Sequence, residues 1–219
     1  MTTLSRRQAL FAGAAMPLAA AFLPGMARAK ETMQGSGFAP RNRFRLGSFE
    51  VTALIAGTRA SENAQETFGL NALPEDFAAL SSANFIPADR TQNFFTPSVV
   101  NTGAEIVLFD AGLSAAGILA ALTAAGMTPD MVDVVVITHM HGDHIGGLMK
   151  TDGVTPTYPN ARYVAGAVEH NAATEAGDEG FVKNVAPLND RMTFLDDAGS
   201  VTGGITAIAA FGHSQGHMV

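Results

Sequence analysis

The chain of 219 residues carries 13 Lys and Arg against 20 Asp and Glu, a net charge of −7, and has no cysteine. That acidity excludes phosphate backbones as natural partners, so no nucleic-acid role is expected. The missing thiols exclude disulfides, iron–sulfur clusters, thiolate zinc sites and a cysteine nucleophile, so any metal must be held by His, Asp or Glu.

Residues 1–29 read as a targeting segment. Arg6 and Arg7 stand just ahead of an apolar stretch, Ala9 to Leu23, interrupted by Gly13 and Pro17. The stretch is too short and weakly apolar for stable membrane insertion. Ala27-Arg28-Ala29 offers a small-x-small cleavage pattern, which predicts a mature chain starting near Lys30. A twin arginine in this setting predicts export of a folded protein to the periplasm. Residues 30–42 read as a flexible lead-in, and 43–219 as one domain.

Phe44 to Leu46 and Phe49 to Ile55 form a hairpin pattern around Gly47-Ser48. Residues 56–96 lack clean periodicity and predict a helix around Pro74 to Leu80 or a loop covering a pocket. Ser98 to Asn101 and Glu105 to Phe109 predict a second hairpin, and Ser114 to Ala125 a helix stopped by Gly126 and Pro129. The β-branched run from Asp133 to Thr138 suits a strand buried on both faces. Arg162 to Ala165, Met192 to Leu195 and Ile205 to Ala210 are further predicted strands, with a helix across Ala167 to Thr174. Early hairpins combined with strand–helix alternation predict an α/β domain with mixed sheets.

Five of the six histidines lie in two short clusters. His139-Met140-His141-Gly142-Asp143-His144 directly follows the buried strand, where α/β proteins place their sites. Imidazoles with a carboxylate suit zinc, and also manganese, iron or cobalt. Gly142, Gly146 and Gly147 are expected to let the backbone turn sharply there. Gly212-His213-Ser214-Gln215-Gly216-His217 follows the last apolar run. His139, His141 and one histidine from this second cluster would give three nitrogen ligands and an open fourth position, the layout of a catalytic zinc. His170, beside Glu169, reads as a packing or surface residue.

These motifs resemble the metallo-β-lactamase-fold hydrolases, through His139-Met140-His141-Gly142-Asp143-His144, Gly212-His213-Ser214-Gln215-Gly216-His217 and the hairpin Val100 to Gly112. Arg45 to Leu54, Met192 to His217 and the long segment before Val100 look like the methyl parathion hydrolase and quorum-quenching lactonase branch. The resemblance implies an αββα sandwich of mixed sheets and a metal-activated hydroxide attacking an ester-like bond, a lactone or an organophosphate triester. It implies that His139, His141 and His213 hold a first ion and that Asp143 and His144 hold part of a second. Asp143 would also handle the proton as the catalytic group. Asp110 would orient a ligand histidine, with its alternative a strand-end turn residue, and His217 would be a support residue. Phe85, Phe94 and Phe95 are expected as an apolar substrate pocket or as plain packing.

The family's bridging aspartate and last histidine would fall beyond His217. The sequence is therefore expected to be the front of a longer chain, incomplete at its C-terminus. The alternative is a short form that is inactive or mononuclear. The intact parent would bind two zinc ions and this chain one at most. The partner would be a small-molecule substrate, and a homodimer is compatible with the branch. A glyoxalase II-like thioesterase, a persulfide dioxygenase-like iron enzyme and an inactive metal-binding fragment share the same motifs.

Overall fold

The computed structural model describes residues 41–219. The targeting segment and all but the last two residues of the lead-in lie outside the described residues. Seven strands form the main sheet in the order β1-β2-β5-β6-β7-β8-β9. They are β1 (Arg41–Leu46), β2 (Phe49–Leu54), β5 (Ser98–Asn101), β6 (Ile106–Phe109), β7 (Val134–Ile137), β8 (Arg162–Gly166) and β9 (Met192–Leu195). The pairs from β1 to β6 are antiparallel and those from β6 to β9 parallel, so the sheet is mixed. β1 starts three residues earlier than the hydrophobic pattern predicts. Its exposed arginines have work to do: Arg41 and Arg43 donate to the carbonyls of Ala124 and Ala125, which end the helix α2 (Ala115–Ala124).

Strand alternation splits the buried side chains between two cores. Leu108, Val135, Tyr163 and Ala165 face one side, where they meet Ile118 and Leu122 of α2 and Phe181 of α5 (Glu179–Asn184). Val107, Val134 and Val164 face the other side, against Val201, Ala207 and Met218. Val201 belongs to β10 (Ser200–Thr202), which pairs with β11 (Ile205–Thr206) as a second, two-stranded sheet. A β-branched run buried on both faces is what the sequence of β7 predicts, and full burial of each such side chain is worth about 1.5–3 kcal/mol.

Two expectations fail here. The segment 56–96 contains α1 (Pro74–Ala83) as expected, but also a hairpin of β3 (Gly57–Glu62) and β4 (Arg90–Phe95). β3 is polar and mostly exposed, and β4 is polar up to Phe94 and Phe95, so neither shows a clean apolar alternation. The apolar run Ile205 to Ala210 is a strand only over its first two residues. The chain then leaves the sheet, with Ile208 exposed and Ala209 bridging to Met218. Among the described residues no helix is long and apolar enough to cross a membrane.

Candidate metal centre

The main sheet delivers the site at the C-terminal end of its parallel strands. β7 ends at Ile137, and the chain passes through Thr138 and His139 to His141, which caps the short helix α3 (Gly142–Ile145). The second cluster is carried back over the same strand end, where Met218 N–H donates to the carbonyl of Thr138 at 3.0 Å. Gly212 turns the chain there with φ 134°, a backbone region open to glycine.

His139 Nε2, His141 Nδ1 and His213 Nε2 converge into a triangle with sides of 3.0, 3.2 and 3.1 Å. Hydrogen bonds cannot satisfy three nitrogens that all touch one another. One N–H can point at a neighbour, but the remaining contacts then oppose lone pair to lone pair. A shared cation satisfies all three. The observed sides are also close to the roughly 3.3 Å edge of a tetrahedron with nitrogen ligands about 2.0–2.1 Å from zinc. The three residues fit a metal ion, and His141 and His213 are exposed to solvent.

The tautomer of His139 follows from its neighbours. The Thr138 hydroxyl donates to Asp110, 2.9 Å from Oδ2, so its oxygen accepts from His139 Nδ1 at 3.2 Å. That places the proton on Nδ1 and the lone pair of Nε2 in the triangle. Burial, reinforced by His144 and His141, pulls the His139 pKa down to about 4, so the ring is neutral and able to bind metal at neutral pH.

His144 lies beside this group, its ring centroid 3.9 Å from that of His139. Its Nδ1 is 2.8 Å from Asp110 Oδ2 and its Nε2 is 3.6 Å from Asp143 Oδ2. Burial opposes charge on His144, but the hydrogen bond and the field of Asp110 outweigh it and raise the pKa. Asp110 also accepts from Thr138 N–H at 2.9 Å, so it supports both histidine positions from one strand end. The His217 ring lies tilted against that of His139, with centroids 4.9 Å apart, and has a buried Nδ1 with no hydrogen-bond partner. His170 is buried away from the cluster, bonded to Asn189 and packed on Phe194.

A cavity of about 150 Å³ opens beside these residues, lined by Phe94, Phe95, Pro97, Asp110, Asp143 and His144. The structure therefore brings Phe94 and Phe95 to the site. It does not bring Phe85, which follows α1 with φ 56° and stands 97% exposed. A larger cavity of about 1110 Å³, between α1 and the β3–β4 hairpin, contains none of the histidines.

The glycines of the first cluster work differently from the expected sharp turn. Gly146 is helical, at φ −62°. A Cβ at Gly146 would sit 2.2 Å from the Leu113 carbonyl, and one at Gly147 would sit 2.2 Å from the Ala111 carbonyl. These residues let α3 press against the loop after Asp110. Sequence reasoning also passes over Glu169, which accepts hydrogen bonds from residues in both histidine loops. Its one local signal is a place in the first turn of the helix after a buried strand.

The metallo-beta-lactamase superfamily model matches residues 96–219, more than half of the chain and all of the histidine clusters. The chain belongs to this superfamily. Solved structures with the same fold include the dizinc quorum-quenching lactonase AidC in complex with its product, at TM-score 0.70 and 20% identity over 81% of this chain and 68% of that one. The hydrolase AbOPH matches at TM-score 0.68 and 23% identity over 84% and 69%. A probable metal-dependent hydrolase from Staphylococcus aureus matches at 0.66 and 22% over 80% and 69%. No curated protein matches the sequence. In this metallo-β-lactamase fold the histidine triangle occupies the strand-end position to which both clusters lead.

Proposed function

We propose that this metallo-β-lactamase-fold protein is a metal-dependent hydrolase acting on an ester-like bond, either a lactone or an organophosphate triester. The observation that carries this reading is the triangle of His139, His141 and His213 nitrogens, with His141 and His213 exposed to solvent. Zinc or a similar ion held there would supply Lewis acidity and bring the pKa of a water toward neutrality.

The chain's own residues supply the rest. Asp143 borders the cavity, and in this reading it takes a proton from the attacking water or returns it to the leaving group. Asp110 fixes His144 through its Nδ1 and leaves Nε2 directed at Asp143. Phe94, Phe95 and Pro97 give the cavity one apolar wall, suited to the hydrocarbon part of an ester and able to exclude water. The similarity to a lactonase and to other hydrolases supports the same class.

The test is turnover of an N-acyl homoserine lactone and of a phosphotriester by the full chain. It is loaded in turn with zinc, manganese, cobalt and iron, with Asp143→Asn as control. Hydrolysis of either substrate that depends on metal and on Asp143 is expected. Metal loading without hydrolysis of either would refute the substrate class. We further propose a periplasmic location, supported by Arg6, Arg7 and Ala27-Arg28-Ala29. The expected processed chain begins at Lys30, and Arg6→Lys with Arg7→Lys should block its appearance in a periplasmic extract.

A further inference from the structure

The two histidine loops lie 74 residues apart in the chain, yet their nitrogens must meet within a few tenths of an ångström. One buried carboxylate spans them. Glu169, 4% exposed in the first turn of α4 (Ala167–Ala176), accepts from Met140 N–H at 2.9 Å through Oε1. Through Oε2 it accepts from the Ser214 hydroxyl at 2.7 Å and from Gly216 N–H at 2.8 Å. Met140 lies between His139 and His141, while Ser214 follows His213 and Gly216 precedes His217. The donors therefore alternate with the site histidines.

Backbone packing makes the arrangement specific. A Cβ on Gly216 would lie 2.1 Å from the backbone nitrogen of Glu169, so the second loop rests directly on the helix. None of the ion pairs among the described residues includes Glu169. Three hydrogen bonds keep it ionised despite burial, and they hold its pKa below the usual value. A buried anion without a Lys or Arg partner, set behind three converging imidazoles, matches a site built for a dication.

We propose that Glu169 is the positioning residue that sets the spacing between the His139–His141 loop and the His213 loop, and so the affinity and geometry of the metal site. This rests on the metal reading given under Proposed function. Glu169 touches neither metal nor substrate. It acts through Met140 and Ser214.

Cobalt binding to the full chain tests the idea, read by chelator competition and by the visible absorption of the bound ion at saturation. Glu169→Gln turns one acceptor into a donor that faces an N–H or hydroxyl donor. It should weaken cobalt binding about 10–100-fold, the usual cost of losing a group that orients metal ligands, and change the saturated spectrum. Ser214→Ala removes one bond of the three and should weaken binding by less, whereas Ser214→Thr should restore it. Wild-type affinity and spectrum in both Glu169→Gln and Ser214→Ala would overturn the proposal. So would a lowered melting temperature with affinity and spectrum unchanged, which would make Glu169 structural only. If Glu169→Gln does not fold, the Ser214 pair decides. Failure of the unmutated chain to bind cobalt is a separate result that removes the metal reading itself.

Discussion

Asp110 holds His144 through a 2.8 Å contact from Oδ2 to Nδ1, and it does so from a left-handed backbone at φ 61°. The same carboxylate takes the N–H and hydroxyl of Thr138, which in turn faces His139. Asp and Asn tolerate this backbone region better than other non-glycine residues. Asp110→Asn should therefore keep the turn but lose the anion, reducing metal-dependent hydrolysis by about 10–100-fold. Asp110→Ala should add a stability loss of about 2–4 kcal/mol, from backbone strain and an unpaired Thr138 N–H. Equal melting temperatures for the two variants would contradict this division.

Stability of the metal-free chain should depend on pH through His139. Its pKa falls from 6.5 to about 4 on folding, so between those values the unfolded chain binds the proton and the folded chain does not. The contribution is complete above pH 6.5 and is lost as the pH falls toward 4. Glu169, with its lowered pKa, acts in the same direction at the acid end. His144 acts oppositely: its raised pKa gives stability below 6.5 that fades as the pH rises through the folded value. Thermal melts in chelator at pH 7.5, 6.5, 5.5 and 4.5 should show stability falling below 6.5, where the His144 contribution is already complete and the losses at His139 and Glu169 remain. His139→Asn should flatten that fall, and an unchanged slope would show that other groups cause it.

The parts legible in the sequence are those whose signal is local. β7 and the first histidine cluster are contiguous, and a β-branched run leading into His-x-His-x-Asp-His specifies both the strand and the site at its end. The β3–β4 hairpin was not legible, because strands such as Gly57–Glu62 bury almost nothing and pair only with each other. In Ile205 to Ala210 the reason is the opposite: Ile205, Ala207 and Ala209 serve the second core without extending the ladder past Thr206. Glu169 escaped notice because its three donors lie 29 to 47 residues away.

His213 should decide metal binding. It completes the triangle, the group of three possible metal ligands found among the described residues. The full chain should bind about one ion tightly, as counted by elemental analysis after removal of loosely held metal. His213→Ala should lose that ion, with a drop larger than the roughly 10–100-fold typical of supporting residues. His170→Ala should retain it, because His170 packs on Phe194 and Asn189 away from the cluster. Retention of a tight ion by His213→Ala would place the metal elsewhere.

Gly142, the first residue of α3, and Gly147, just past its end, should separate packing from turn chemistry. At Gly147 an added methyl meets the Ala111 carbonyl at 2.2 Å and Ile118 at 3.0 Å, both within the rigid centre of the domain. Overpacking of this kind costs about 1–3 kcal/mol, and more where backbone must move. Gly147→Ala should accordingly lower the melting temperature by roughly 5–10 °C for a domain of this size. It should also disturb metal binding, because Ala111 N–H is bonded to the His144 carbonyl at 2.7 Å. At Gly142 the same methyl would have nothing within 4 Å, and the residue opens a helix. Gly142→Ala should be neutral or stabilise by about 0.5 kcal/mol through the unfolded state. If the two variants melt together, close contact between α3 and the Asp110 loop is not what these glycines provide.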